Sequence, residues 1–232
     1  MTSTGWDKNG SEYLHFFNSP VDAGRRGLID PVILELCRPQ GKHILDLGCG
    51  EGYLSRLLKK HKAREATGID VSADLIAKAK SLDPEGDYRL LDIVREDFHF
   101  NQLDAVIANM VLHNLPDLAD VFRKISATLK PRGMLIASIL NPYYAYPVGT
   151  WKRQIRSILS GDFKPHLQIK NYFLARKQSK VLSGTRTEFE HYHHQMADYI
   201  NEAVKHGLIL KTMIEPKTNQ MPLYLILQYE RV

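Results

Sequence analysis

From residue 43 onward, short apolar runs alternate with stretches in which apolar residues recur every three or four positions. The runs HILDLG, ATGIDV, YRLLDIV, LDAVIANMVLH and GMLIASIL predict strands, whereas YLSRLLKKH, ADLIAKAKSL and LADVFRKISATLK predict amphipathic helices. Strands that alternate with helices are typical of a parallel sheet that is covered on both faces. The pattern therefore predicts an α/β fold, doubly wound around a parallel sheet.

The segments on either side of this alternation differ from it. Apolar positions at helical spacing over residues 28–36 predict a leader of helices. After GMLIASIL, residues 141–190 are aromatic and basic and are interrupted by prolines and glycines, which indicates an insertion with some helix. A last helix at about 194–206 and two strands, at 208–215 and 222–231, complete the predicted elements.

The length of 232 residues suits one domain with appendages. We expect its parts to be an N-terminal helical lid (1–39), a cofactor-binding core (40–140), a substrate-cap insertion (141–190) and a last helix with two strands (191–232). No apolar run approaches the ~20 residues of a membrane span, and the polar N-terminus carries no secretory signal. We therefore expect no membrane partner, a cytoplasmic location, and Cys37 and Cys49 as reduced thiols.

The strongest local signal is the run ILDLGCGEGYLSRLL. A buried strand ends at Asp46, and Gly48, Gly50 and Gly52 then let the chain turn sharply and bring bare backbone close to a ligand. The N–H groups of the following helix point at the same place. Because Tyr53 stands where the dinucleotide fingerprint has its third glycine, the spacing argues against a pyrophosphate cofactor. The run predicts a site for another nucleotide-like ligand.

Polar side chains also end the next predicted strands. Asp70 follows Gly50 by 20 residues, and a carboxylate there can accept hydrogen bonds from both ribose hydroxyls. Asp92 is placed to meet the amino edge of an adenine while Ile93 packs on the ring, and Asn109 ends the strand after it. Any one of these carboxylates alone is more often a helix cap. Four polar strand ends in register favour one shared ligand site.

Residues 40–140 resemble the class I S-adenosylmethionine-dependent methyltransferases. ILDLGCGEG resembles the family's first motif, GIDVSADLIAKAK its second, LDAVIANMVLHNLPD its fourth, and LKPRGMLIASIL the turn and strand that follow. The segment HYHHQMADYINEAVKHGL extends the likeness to many bacterial small-molecule methyltransferases. Their usual Tyr-His-Arg-Pro is matched by Tyr192 and His193, whereas His194 and Gln195 depart from it.

The resemblance implies a Rossmann-like sheet of seven strands whose final strand is antiparallel, so that 222–231 inserts between the fifth and sixth strands. The insertion after strand 5 would then fall beside the acceptor pocket. Together with the N-terminal helices it would form a lid that excludes water, since methyl transfer needs the nucleophile aligned behind the methyl carbon.

The resemblance also implies the cofactor S-adenosylmethionine and the product S-adenosylhomocysteine. By the family's motifs, Gly48 and Gly50 hold the methionine part, Asp70 the ribose, and Asp92 with Ile93 the adenine. The residues that we expect at the cofactor site are Asp46, Gly48, Cys49, Gly50, Asp70, Val71, Asp92, Ile93 and Asn109.

Aromatic residues are the candidates for the acceptor pocket: Trp6, Tyr13, Phe17, Tyr143 and Tyr192. For those in the leader, the alternative is that they only fasten the leader helix to the sheet. NPYY, at 141–144, resembles the Asn-Pro-Pro-Tyr motif of enzymes that methylate exocyclic adenine amines. That motif belongs after the fourth strand and this run follows the fifth, so an amino-methylating DNA enzyme is disfavoured.

Two histidines, His113 and His193, are the candidates for a catalytic base. An imidazole with an unperturbed pKa near ~6.5 can take a proton at neutral pH. A purely structural role is the alternative for both. His191 and His194 complete an H-x-H-H run, but without nearby cysteines or spaced carboxylates this is a weak metal signal, and we expect no metal.

The net charge of +5 is unevenly distributed, because residues 151–187 hold nine basic residues and one acid. Such a segment suits phosphate, a carboxylate substrate or RNA, or it is a solvated face. We expect methyl transfer to O or N of a small molecule, an anionic one included. One alternative is an RNA or protein methyltransferase that grips its substrate with this segment, although the modest overall charge disfavours nucleic acid. The other is a non-catalytic binding or scaffold protein, which the intact loop, Asp70 and Asp92 disfavour.

Overall fold

The computed structural model describes residues 6, 10–17, 19–143, 149–152, 166–169, 172–173, 176–181, 188–217 and 222–232. The helices are α1 (Gly10–Phe17), α2 (Pro20–Cys37), α3 (Tyr53–Lys60), α4 (Ala73–Leu82), α5 (Leu118–Thr128) and α6 (Met196–Lys205), with a 3-10 helix at Leu112–Asn114. The strands are β1 (His43–Leu47), β2 (Glu65–Asp70), β3 (Asp87–Leu90), β4 (Leu103–Asn109), β5 (Leu129–Leu140), β6 (Gly149–Lys152), β7 (His166–Ile169), β8 (Arg176–Val181), β9 (Glu188–His193), β10 (Leu208–Ile214) and β11 (Tyr224–Arg231).

Seven strands form the central sheet, in the order β3-β2-β1-β4-β5-β11-β10. The first five strands along the chain pair in parallel. β11 runs antiparallel to both of its neighbours, β5 and β10. This order confirms the predicted Rossmann-like sheet, including the insertion of the final strand beside the fifth.

The two faces of the sheet carry separate apolar cores, because successive side chains of a strand point to opposite faces. Ile44 of β1 packs in one core with Ile29 and Ile33 of α2 and Leu58 of α3. Leu45, its neighbour in β1, packs in the other core, which contains residues of α5 and α6. Helices therefore cover both faces, as the alternation of elements predicted.

The two leader helices have different positions. α2 begins after Ser19, whose hydroxyl accepts the Asp22 N–H at 3.2 Å, and it ends before Pro39. Its apolar stripe is part of the core, so α2 supports the sheet. α1 packs on α4 and α2 and carries the aromatic residues that reach the cavity described below.

The segment between β5 and α6 contains two antiparallel pairs in its described part, β6 with β7 and β8 with β9. Much of the basic stretch 151–187, and the helix expected within 141–190, lie outside the described residues. In the part of the chain that the structure describes, no helix combines the length and apolarity that crossing a membrane requires.

Candidate active site

A cavity of about 970 Å³, its open mouth included, lies at the carboxyl ends of β1, β2, β3 and β4. Open α/β sheets bind their ligands at this edge. All nine residues expected at the cofactor site line it: Asp46, Gly48, Cys49, Gly50, Asp70, Val71, Asp92, Ile93 and Asn109. Trp6, Tyr13 and Phe17, expected at the acceptor pocket, line it as well.

The turn after β1 brings bare backbone to the cavity wall. The N–H groups of Gly48 and Cys49 both donate to the Ile69 carbonyl of β2, at 2.8 and 2.9 Å. Gly48 has a φ of +70°, and a Cβ on it would lie 2.4 Å from Cγ2 of Val111. A side chain at Gly48 would therefore strain the backbone and collide with the opposite wall.

Asp70, at the end of β2, is tied to this turn. Its Oδ2 accepts the Gly50 N–H at 2.8 Å, and its Oδ1 accepts the Ser72 N–H at 2.9 Å. Desolvation raises the pKa of the Asp70 carboxyl, and the backbone donors oppose that shift. A carboxylate offers about four acceptor positions, and the backbone at Gly50, Val71 and Ser72 supplies donors to Asp70, so one position remains for a further donor.

Asp46 is buried beneath the turn, with 1% of its surface exposed. The Ser55 hydroxyl of α3 donates to its Oδ2 at 2.7 Å, which ties the end of β1 to the helix after the turn. Desolvation raises the pKa of Asp46 to about 7, the Ser55 hydrogen bond lowers it, and the charge of Asp70 raises it further. Asp46 is therefore placed to orient the turn.

Asp92 shapes the wall after β3. Its Oδ1 accepts the N–H groups of Val94 and Arg95, at 2.9 and 3.3 Å, and its Oδ2 lies 3.5 Å from the Arg95 Nε. Ile93, held in this turn, is buried. The carboxylate thus fixes the turn that presents Ile93.

Residues 109–115, which are the last residue of β4 and the segment after it, form the cavity wall opposite the glycine turn. We call these residues the post-β4 loop. Ser138 of β5 donates its hydroxyl to the Asn109 Oδ1 at 2.6 Å, and the Met110 N–H donates to the Ser138 carbonyl at 2.9 Å. Met110 has a φ of +63°, which is uncommon for a residue with a side chain. β5 thus holds the beginning of this loop.

Three aromatic rings of the leader line the cavity. Tyr13 stands edge-on to Trp6 and Phe17, with ring centroids 5.0 and 4.7 Å apart. Trp6 also contacts the Phe189 ring of β9 at 4.7 Å, and its indole N–H donates to the Glu190 carbonyl at 3.2 Å. These rings therefore both line the cavity and fasten the leader to β9.

Four predicted site residues lie away from the described cavity wall. His113, in the 3-10 helix, and His193, at the end of β9, are both buried. The His193 Nε2 lies 2.7 Å from the Tyr172 carbonyl. Tyr143 stacks on the Tyr172 ring at 4.8 Å and is 42% exposed, and Tyr192 is half-buried in β9. Their roles in catalysis and acceptor binding stay predictions.

Arg25 of α2 is a cavity residue that the sequence reasoning missed. It is 7% exposed, and its Nε donates to the Asp22 Oδ1 at 3.0 Å, while Arg26 pairs with the other oxygen of Asp22 at 2.7 Å. Opposite charges at helical spacing, on the same stripe as Ile29 and Ile33, were the available signal. Further residues missed on the wall are Tyr53, Leu54, Ile69, Leu75, Leu91, Val94, Met110, Val111, Asn114 and Leu115.

Among the described residues, no group of three or more histidine, cysteine, aspartate or glutamate side chains is arranged to hold a metal ion. In the H-x-H-H run, the rings of His193 and His194 each meet a backbone carbonyl.

The central part of this chain is similar in sequence to known proteins. A family described as "Methyltransferase domain" matches residues 45–137. A ubiquinone biosynthesis O-methyltransferase of Coxiella burnetii is 35% identical over 122 residues, which are 49% of this chain and 52% of that protein. A protein of the same name from Actinobacillus pleuropneumoniae is 31% identical over 157 residues, 61% of each chain. The chain thus spans about half the length of the curated relatives it matches.

Solved structures share the fold over nearly the whole chain. An S-adenosylmethionine-dependent methyltransferase from Mesorhizobium loti superposes with a TM-score of 0.72 at 21% identity, covering 87% of this chain and 96% of that one. The magnesium protoporphyrin IX methyltransferase of Synechocystis with bound S-adenosylmethionine superposes with a TM-score of 0.67 at 15% identity, covering 100% and 99%. Residues 45–137 are therefore similar to a methyltransferase domain, and the chain has the fold of these S-adenosylmethionine-dependent methyltransferases.

Proposed function

We propose that the protein transfers a methyl group from S-adenosylmethionine to an oxygen atom of a small-molecule acceptor and releases S-adenosylhomocysteine. The observation that carries this proposal is the glycine turn at Gly48 and Gly50, held to Asp70 beside a cavity at the carboxyl edge of the sheet. The bared backbone and the two carboxylate oxygens suit a ligand with a ribose. The cofactor supplies an electrophilic methyl group on a sulfonium.

Residues of the chain would divide the binding of this cofactor. The bare backbone at Gly48 would lie against the methionine part, and the guanidinium of Arg25 suits its carboxylate. The remaining acceptor position of Asp70 would accept a ribose hydroxyl. Ile93 would pack on the adenine with Asp92 at its amino edge.

Two observations support a small acceptor that is methylated on oxygen. The matched relatives from Coxiella and Actinobacillus are named O-methyltransferases. In this chain the rings of Trp6, Tyr13 and Phe17 line the cavity, and they favour a planar apolar acceptor. The rings would exclude water and align the acceptor oxygen behind the methyl carbon.

An oxygen nucleophile also has to lose its proton, and His113 and His193 remain our candidates for accepting it. Neither histidine is among the described residues that line the cavity. Either would therefore accept the proton through a water molecule, or after the segments around the cavity move.

The first experiment is calorimetric titration with S-adenosylmethionine and S-adenosylhomocysteine. We expect Asp70→Ala to weaken binding by about 1.5–3 kcal/mol, the range for a hydrogen bond to a charged group, or roughly 10- to 150-fold. Asp74→Ala removes an exposed acid four residues away and serves as the matched control. Unchanged affinity in Asp70→Ala would exclude the ribose assignment.

Turnover is tested by transfer of labelled methyl from S-adenosylmethionine to small hydroxylated aromatics such as catechol. Cofactor binding without transfer to any of them would favour the non-catalytic alternative.

A further inference from the structure

We propose that His194 is a positioning residue, which holds the end of the post-β4 loop and thereby sets the cavity wall that faces the glycine turn. This inference rests on the proposed function, because that wall has a catalytic purpose only if the cavity binds cofactor and acceptor. The loop contributes Asn109, Met110, Val111, Asn114 and Leu115 to the cavity.

The two ends of the post-β4 loop are held by different parts of the chain. Ser138 of β5 holds Asn109 and Met110 at the beginning. At the far end, the His194 Nε2 lies 2.8 Å from the carbonyl oxygen of Leu115, across 79 residues of sequence. Leu115 itself lines the cavity, so a shift of this carbonyl would move the wall.

The chemistry of the contact determines the state of the imidazole. A carbonyl oxygen only accepts hydrogen bonds, so the Nε2 of His194 must carry the proton that it donates. Desolvation lowers the pKa of His194, while the bond to Leu115 and the charge of Asp198 oppose that shift. The neutral ring with its proton on Nε2 therefore suits this position.

His194 is itself held by rigid neighbours. Its ring stands edge-on to Tyr199 of α6 at 5.7 Å, and Tyr199 is 1% exposed. Gln195, the next residue, caps α6, and its N–H donates to the Asp198 Oδ2 at 2.7 Å. The Tyr229 hydroxyl of β11 donates to the Tyr199 carbonyl at 3.0 Å. His194 therefore connects the loop to the body of the domain.

The preceding histidine makes an analogous contact with another segment. The His193 Nε2 meets the Tyr172 carbonyl at 2.7 Å, and the Tyr172 hydroxyl accepts the Met196 N–H at 2.9 Å. Consecutive histidines between β9 and α6 thus contact two segments, and His194 stands where the family motif usually has arginine. This departure from the motif replaces a long, flexible and charged side chain with an imidazole ring, whose Nε2 donates from a more rigid position.

The test compares His194→Gln, which retains a donor at nearly the same reach, with His194→Phe, which retains the ring but no donor. His61→Ala, at an exposed histidine after α3, is the control. Amide hydrogen exchange of residues 109–116 and the affinity for S-adenosylhomocysteine are measured in each variant. We expect His194→Phe to speed exchange in that peptide and to weaken binding roughly threefold to tenfold, the range for one hydrogen bond, and His194→Gln to restore both.

Wild-type exchange and affinity in His194→Phe would overturn the proposal, as would equal losses in the Phe and Gln variants. If the wild-type protein binds no S-adenosylhomocysteine, the proposed function fails. In that case the amide exchange of the His194 variants still tests whether His194 holds the post-β4 loop, because exchange does not depend on S-adenosylhomocysteine.

Discussion

The part of the cavity at which we propose the cofactor (the cofactor side) and the part at which we propose the acceptor (the acceptor side) are built from contacts of different range. On the cofactor side, Asp70 meets Gly50 across 20 residues, and turns that directly follow strands supply the wall. On the acceptor side, Trp6 meets Glu190 across 184 residues, and at the end of the post-β4 loop Leu115 meets His194 across 79. The first kind of site is encoded in local motifs, whereas the second exists only once distant segments have packed.

The largest expected effect on the cofactor side is a pH dependence due to Asp46. Its pKa of about 7 in the folded protein exceeds the ~3.9 of an unfolded aspartate, so between these values the folded state binds more protons. The free energy of unfolding should therefore fall as pH rises from about 4 to 7, by up to about 1.4 kcal/mol per pH unit, and this contribution should be level above pH 7. Asp46→Asn should remove it.

Urea denaturation of wild type and Asp46→Asn over this pH range measures the effect, because the difference between the two proteins cancels the other titrating groups. Asp74→Asn, at an exposed acid, is the control. Parallel pH profiles for wild type and Asp46→Asn would contradict the raised pKa.

Substitutions at two glycines distinguish the effect of backbone strain from the effect of a steric clash on the cofactor side. Gly41 and Gly48 both have positive φ, but a Cβ at Gly41 meets nothing within 4 Å, whereas one at Gly48 meets Val111 at 2.4 Å. We expect Gly41→Ala to lower the free energy of unfolding by about 1 kcal/mol and Gly48→Ala by about 2–4 kcal/mol, with loss of S-adenosylhomocysteine binding only in the latter. Equal losses of stability would show that the turn tolerates a methyl group.

The smallest effect concerns the acceptor side. Trp6→Phe removes the indole hydrogen bond to the Glu190 carbonyl but keeps an aromatic ring against Phe189. We expect the local stability of β9 to fall by about 0.5–1.5 kcal/mol, seen as faster amide exchange over residues 188–193. Trp6→Leu, which also removes the aromatic contact, should increase exchange further. Unchanged amide exchange in both variants would show that the contacts of Trp6 do not stabilise β9.

The sequence was sufficient for the sheet and for gathering the residues expected at the cofactor site along one cavity. Apolar runs alternating with amphipathic stretches predicted a parallel sheet, which the strand order confirms. The resemblance to the family supplied the antiparallel position of β11, which no local pattern contains. The nine expected cofactor residues line one cavity because each lies at or shortly after the carboxyl end of a strand, and parallel strands end at the same edge.

The long-range contacts that complete the cavity wall could not be predicted from local sequence patterns. Arg25 sits on the buried stripe of α2, and only the packing of that helix shows that its guanidinium reaches the cavity. His194 was noted as a departure from a motif and as part of a weak metal signal. Its contact with Leu115 depends on the packing of β9 and α6 against the post-β4 loop.

The position of β11 has a consequence for synthesis of the chain. Ribosomes deliver residues in order, at roughly 5–20 per second, so β5 and β10 emerge before the strand that separates them. Until residues 224–231 arrive, each of these strands presents a row of unsatisfied backbone groups on the side that β11 later fills. The nascent chain therefore passes through an interval in which β5 and β10 both lack the neighbour that β11 later provides, and in which chaperones would shield these strands from pairing with other chains.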